Sequence, residues 1–286
     1  MTTATQPATL AAERPPATAG GFVRAVYIVW WRDVIRYWRD RIRVAASLAQ
    51  PLLYLVIFGS GLSASLGAGF ASGTGLSYTQ FMYPGIVSMS VLFTSIFSAM
   101  GIVWDREFGF MKELLVAPIG RSAIAVGKAL GGATQALLQG AILLLLAPFV
   151  GVTLSVTGAI ELLVFMAALA FGLSSMGVAI AARTRSMQGF QVVMNFLMLP
   201  MLFLSGALFP LVGLPGWLTV VTRLDPASYG IDPIRRVLLG GSGFPIERLA
   251  LTLFDQTVPI AVESAIVIAF GLVMLGIGAL SFQQRD

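Results

Sequence analysis

Two residue types are missing from this 286-residue chain altogether: it has no cysteine and no histidine. That excludes disulfides, thiolate or imidazole zinc sites, iron–sulfur ligation, haem held by histidine, and any Ser–His or Cys–His nucleophile. Charge is scarce as well. Only 11% of the residues are charged and 57% are hydrophobic, against about 25% charged and about 45–50% apolar in average soluble chains. A single soluble domain of this length has too much surface to cover with so few polar groups. The mean hydropathy of +0.87 points the same way, and the composition places the chain in a bilayer.

What is present is a series of long apolar runs. A membrane-spanning helix needs about 20 such residues, and runs of that size fall at 44–66 (Pro51 inside), 81–103, 129–150, 161–182 (Glu161 at its outer edge), 189–209 (Pro200 inside) and 258–282, the last interrupted by Glu263. The expectation is an all-α membrane protein with six transmembrane helices, which puts both termini on one side. Fourteen of the 18 Lys and Arg lie before the first run, in the 104–128 loop, between the fourth and fifth runs, or in the 283–286 tail, whereas 67–80 and 151–160 carry none. The positive-inside rule makes the N- and C-termini and the 104–128 loop cytoplasmic. The net charge of +5 is then a topology signal. No basic, aromatic-interleaved soluble module is left to bind nucleic acid.

Residues 1–21 are rich in Thr, Ala and Pro and read as a disordered tail without the apolar core of a secretory signal. Residues 22–43 differ. Arg32, Asp33, Arg36, Arg39, Asp40 and Arg43 share one side of a helix, and Val23, Val26, Tyr27, Trp30, Val34, Tyr37 and Trp38 fill the other. A basic amphipathic helix with three tryptophans next to a span reads as one lying in the interface plane.

The loop DREFGFMKELLVAPIGRSAIAVGK, residues 105–128, places Phe108, Met111 and Leu115 at helical spacing, with Arg106, Glu107, Lys112 and Glu113 as polar positions. A short amphipathic helix over about 106–117 must stop at or before Ala117, because Pro118 disfavours helix there. It suits a lever for a cytoplasmic partner, or equally an ordinary loop helix. Gly120…Gly127-Lys128 is no phosphate loop: Ser122 and Ala129 stand where that motif needs Gly and Ser or Thr. Any ATPase that drives the chain is therefore a separate one. Gly127 and Gly131 form a GxxxG pair suited to close helix packing. Glu263, the one acid well inside a span, calls for either a structural partner among the arginines of 211–257 or a proton or substrate role.

The segment at about 211–245 is too long for a simple loop. Leu214-Pro215-Gly216-Trp217 opens a short helix, and Asp225-Pro226 is an N-cap followed by Pro at the first helical position. Pro233 predicts a break or restart, and Gly240-Gly241 a stop. Two or three short helices near the outer interface follow, as an outer gate or a passive cap.

Two blocks carry a resemblance. Asp105-Arg106-Glu107-Phe108-Gly109-Phe110-Met111-Lys112-Glu113-Leu114-Leu115-Val116-Ala117-Pro118, continuing to Gly127-Lys128, is one. Ser205-Gly206…Phe209-Pro210…Leu214-Pro215…Trp217…Asp225-Pro226…Tyr229…Asp232…Arg235 is the other. Over roughly 22–282 the chain resembles a membrane-spanning subunit of the ABC-2 family of ABC transporters, in its drug-efflux and nodulation-factor-export branch. Where the family often has Asn-Pro, this chain has Asp225-Pro226, which adds a charge.

The resemblance implies a non-enzymatic subunit of a bacterial cell membrane. It would pair with a second copy and with two ATPase subunits, and ATP and Mg would bind on those partners and no cofactor on this chain. It further implies that Arg106, Glu107, Phe108, Gly109, Met111, Glu113 and Leu114 belong to a coupling helix seated on the ATPase, and that 22–43 is a connecting helix. The outer segment would hold short re-entrant helices, with Trp217, Asp225, Tyr229 and Arg235 as outer-gate candidates. The path would lie at the subunit interface, along the second and fifth spans. Their uncharged sequences favour an apolar or amphipathic substrate. The rival reading is a proton-coupled secondary transporter using Glu263.

Overall fold

The structure, a computed structural model, describes residues 19–62, 77–109, 120–209, 211, 214–242, 250–253 and 256–283. The first helix, α1 (Ala19–Arg39), ends four residues before the expected boundary at 43. Asp40 breaks the chain there. Its carboxylate accepts from Arg43 N at 3.0 Å and so caps α2 (Arg41–Ile57), which continues as a π-helical turn over Phe58–Leu62. The first span thus starts at Arg41 rather than 44, because a good cap outweighs two arginines at the helix start. The remainder of that run lies outside the described residues.

The second span is α3 (Tyr78–Ser98) and α4 (Met100–Glu107), almost continuous through Ala99. It is longer than the expected 81–103. Next come α5 (Arg121–Leu144) and the short α6 (Ala147–Val150), in place of one helix over 129–150. Then follow α7 (Val156–Arg183), α8 (Met187–Leu204), α9 (Gly216–Leu224), α10 (Pro226–Leu239) and α11 (Ile260–Gln283). Among the described residues, five helices are long and apolar enough to cross a membrane: Arg41–Gly61, Tyr78–Glu107, Val156–Arg183, Met187–Leu204 and Ile260–Phe282. The expected third span is not among them. Its helix carries Lys128, Thr134, Gln135 and Gln139 among its glycines and alanines, so it reads as a packed helix rather than a greasy one.

The helix α7 is the hub. Small residues along it (Gly172, Ser174, Ser175, Gly177, Ala181) bring α3, α5, α10 and α11 close around it. Its core is completed by Leu92, Ile96, Leu162, Met166, Leu173 and Phe190, all buried.

The outer segment departs from expectation twice. Pro233 does not break α10, which runs unbroken from Pro226 to Leu239. The roughly 3 kcal/mol that an interior proline costs is offset by burial of nearly the whole of residues 227–235. And a two-residue antiparallel ladder, β1 (Thr252–Leu253) with β2 (Gln256–Thr257), lies where only helices were foreseen.

Candidate functional site: two charge networks at opposite ends of the bundle

One network joins α1, α4 and α5. Asp105, on the last turn of the second span, receives Arg32 Nη2 at 3.2 Å, Arg36 Nη1 at 3.3 Å and Lys128 Nζ at 3.0 Å. Lys128 also meets Asp33 at 3.1 Å, and its side chain is only 3% exposed. Burying a lysine is tolerable only with such pairing. Arg32, Asp33 and Arg36 of the charged stripe therefore turn onto the protein, while Arg39, Asp40, Arg43 and the aromatic Tyr27, Trp31 and Trp38 stay exposed.

The GxxxG pair makes this approach possible. A Cβ on Gly127 would sit 2.7 Å from Val29 Cβ, and one on Gly131 would sit 3.1 Å from Asp33 Cβ. Trp30 Nε1 adds a 2.9 Å bond to Thr134 Oγ1 on the same face of α5.

Beside this cluster lie the expected coupling residues. Arg106 and Glu107 form the last residues of α4, which ends at Glu107; residues 110–117 of the expected coupling helix lie outside the described residues. Gly109 adopts φ +82°, the left-handed conformation that closes helices and that glycine tolerates best. Arg106 donates to the carbonyls of Ala181 at 3.2 Å, Ala182 at 3.2 Å and Thr184, so it caps the C-terminus of α7. Glu107 Oε2 accepts from Met187 N at 2.9 Å, at the N-terminus of α8. A cation on a helix C-terminus and an anion on the next helix N-terminus are each favoured by the unpaired backbone groups there. Two consecutive residues of opposite charge thus staple the α7–α8 junction to the second span. Phe108 is exposed and packs on Trp104, ring centroids 4.9 Å apart. Met111, Glu113 and Leu114 lie outside the described residues.

The second network sits at the other end. Glu263 is fully buried and accepts from Arg236 Nη2 at 3.0 Å. The same guanidinium binds Asp232 and gives its other nitrogen to Val258 O at 2.8 Å. Asp232 also accepts from Leu251 N at 3.0 Å, which ties the β-ladder to α10. Of the two tasks foreseen for Glu263, a structural arginine partner from the outer segment is the one present.

The outer-gate candidates are not gathered into one place. Trp217 is 70% exposed on α9. Asp225 is buried and caps α10 through Ala227 N at 3.0 Å, and burial pushes its carboxyl up to about 7. Tyr229 Oη donates to Arg223 O at 2.8 Å. Arg235, buried, donates to Gly206 O and Ala207 O and lies 5.7 Å over the Phe81 ring. Three of the four thus anchor the two short helices to each other and to the end of α8.

Sequence reasoning missed Asp33, Asp105 and Lys128. A signal existed: an acid ending one apolar run and a lysine opening the next require each other if both helices are buried.

The chain matches the ABC-2 type transporter family over residues 24–239. It is 32% identical over 217 residues to a transport permease, ycf38, of Cyanophora paradoxa, covering 75% of this chain and 74% of that one. Nodulation protein J of Rhizobium leguminosarum bv. trifolii is 32% identical over 217 residues, covering 74% and 80%. The inner membrane transport permease YadH of Escherichia coli K12 is 27% identical over 231 residues, covering 78% and 86%. Taken with a helical, membrane-embedded fold, these matches identify the chain as a member of the ABC-2 type transporter family.

Proposed function

We propose that the chain is the membrane subunit of an ATP-driven exporter. It pairs with a second permease copy and docks two separate ATPase subunits, which bind the ATP and Mg. In this reading α5 is the third of six spans despite its polar face, both termini are cytoplasmic, and α9 and α10 are re-entrant helices near the outer surface. The membrane is a bacterial inner or plasma membrane. The substrate is apolar or amphipathic, a drug, a lipid or a lipid-linked glycan, since α3 and α8 bring no charge to the bundle.

The observation that carries the proposal is the Arg106–Glu107 staple. A segment pushed by an ATPase at 110–119 pulls on Glu107, and the staple passes that pull to the ends of two long helices. Stiff packed helices then move as rigid bodies. The rival proton-coupled reading rests on Glu263, which is already engaged by Arg236.

The test is a complex of the chain with its co-purified ATPase. Leu114→Ala should weaken ATPase association, and Glu107→Ala should leave membrane insertion intact while uncoupling hydrolysis from transport. Full ATP-dependent transport with normal association in both variants would refute the coupling assignment. Transport by the chain alone under a pH gradient, lost in Glu263→Gln, would establish the rival.

A further inference from the structure

The bend between α1 and α2 opens a groove whose mouth borders the first charge network. Its inner part is a cavity of about 200 Å³ between α2, α3 and α5, lined on one side by Pro51, Tyr54, Phe93 and Phe97 and on the other by Thr94 and Gln135. Its outer part, about 440 Å³, reaches Arg36, Arg43 and Lys128. Tyr37, Arg43, Phe97, Ser98 and Gln135 line both, so the two are one passage. From Arg43 to Tyr54 the wall of α2 rises about 16 Å at 1.5 Å per residue. The passage is charged at one end, hydrogen-bonding in the middle and apolar at the other.

The charges at its mouth are Asp33, Arg36, Asp40, Arg43 and Lys128. Lys128 is held between Asp33 and Asp105, and Asp40 caps α2. Arg36 spends one nitrogen on Asp105 and keeps a side chain 53% exposed, and Arg43 is exposed on the first turn of α2. The α2 N-terminus is already taken by Asp40, so what the mouth offers an anion is the two exposed guanidinium groups of Arg36 and Arg43. Further in, Gln135 Nε2 reaches Asp33 O only at 3.5 Å, beyond the usual range, so its amide is available to a better acceptor.

We propose that this groove binds one anionic phospholipid, its phosphate at Arg43 and Arg36, its ester region at Gln135, and an acyl chain along Pro51, Tyr54 and Phe93. The placement in the inner leaflet rests on the orientation in the functional reading; the binding chemistry does not.

The probe is palmitoyl-oleoyl phosphatidylglycerol against the matching phosphatidylcholine, in equal amounts. Retention on the purified full-length chain is read by native mass spectrometry. Phosphatidylglycerol should be retained preferentially. Arg43→Gln should weaken it roughly tenfold, the size of one lost charge-assisted bond. Gln50→Trp, at an exposed position lining the cavity, should displace it by filling the acyl path. Arg185→Gln, an exposed cation elsewhere, should change nothing. Equal retention of the two lipids, an equal drop in Arg43→Gln and Arg185→Gln, or release of the lipid by glycerol 3-phosphate alone would overturn the site. The assay needs neither ATP nor a partner, so its failure leaves the transport reading standing, and loss of ATP-driven transport leaves the lipid site standing.

Discussion

The two charge networks are built from similar residues but join different parts of the chain. At the Asp105 end, Arg32 and Asp105 are 73 residues apart, Arg106 and Ala181 are 75, and Glu107 and Met187 are 80, while Lys128 meets Asp105 across 23. At the Glu263 end, Arg236 reaches 4 residues back to Asp232 and 27 forward to Glu263, and Arg235 reaches 29 back to Gly206. Most bonds of the first network join helices that are remote in the chain, whereas those of the second fold one stretch against its own neighbours. Under the proposed coupling, the first set would transmit a force and the second would brace.

That contrast breaks most sharply at Asp105. Asp105→Asn leaves Lys128 buried with half its compensation and should destabilise the chain by about 3–5 kcal/mol. Thermal unfolding in a fixed detergent measures it, and Asp105→Asn with Lys128→Met should recover most of the loss, since a buried pair can be replaced by apolar groups at little cost. Arg106→Gln comes next. It strips the cap from α7 at about 1–3 kcal/mol and should reduce ATP-driven transport far more than it reduces stability. Glu263→Gln, at the opposite end of the bundle, should cost a comparable or smaller amount of stability, because Asp232 still holds Arg236, and it should leave ATP-driven transport in place. A larger transport defect for Glu263→Gln than for Arg106→Gln would reverse the comparison.

The smallest effect concerns pH. Burial raises the Asp225 carboxyl to about 7, so the native state favours its protonated form more than the unfolded chain does. Stability from this group is full in acid, declines as pH climbs from the ordinary carboxylate range, and is gone above about 7. Asp225→Asn keeps the cap and removes the titration. The midpoint of unfolding should fall more between pH 5 and pH 8 for the natural chain than for Asp225→Asn; equal falls would show that the carboxyl is not buried in this way.

Much of this was legible in the sequence, and the gaps have physical causes. Five of the six apolar runs became helices apolar enough to span, because a helix in a bilayer is greasy whether it faces lipid or packed apolar neighbours. The third run did not, since α5 packs by glycine and hydrogen bonds, and hydropathy does not read those. The start of α9 and the Asp225 cap were foreseen from local rules. The end of α1 at Arg39 was not, because Asp40 looked like one more charge on a stripe rather than a cap. The Asp105 network was overlooked because it depends on which helices meet, although an acid ending one apolar run and a lysine opening the next hinted at it, whereas Glu263 was flagged at once because an acid inside a span demands a partner.

The central claim is that Arg106 and Glu107 make the end of the second span and the α7–α8 junction one mechanical unit. The chain has no cysteine, so Phe108→Cys and Arg185→Cys provide a unique pair of spin-label sites on exposed positions either side of the staple. With the staple intact, the distance distribution between them should be narrow and unchanged on ATP binding by the partner ATPase. With Arg106→Gln and Glu107→Gln added, it should broaden and shift with ATP while transport is lost. A distribution that stays narrow in the quadruple variant, with transport preserved, would contradict the account.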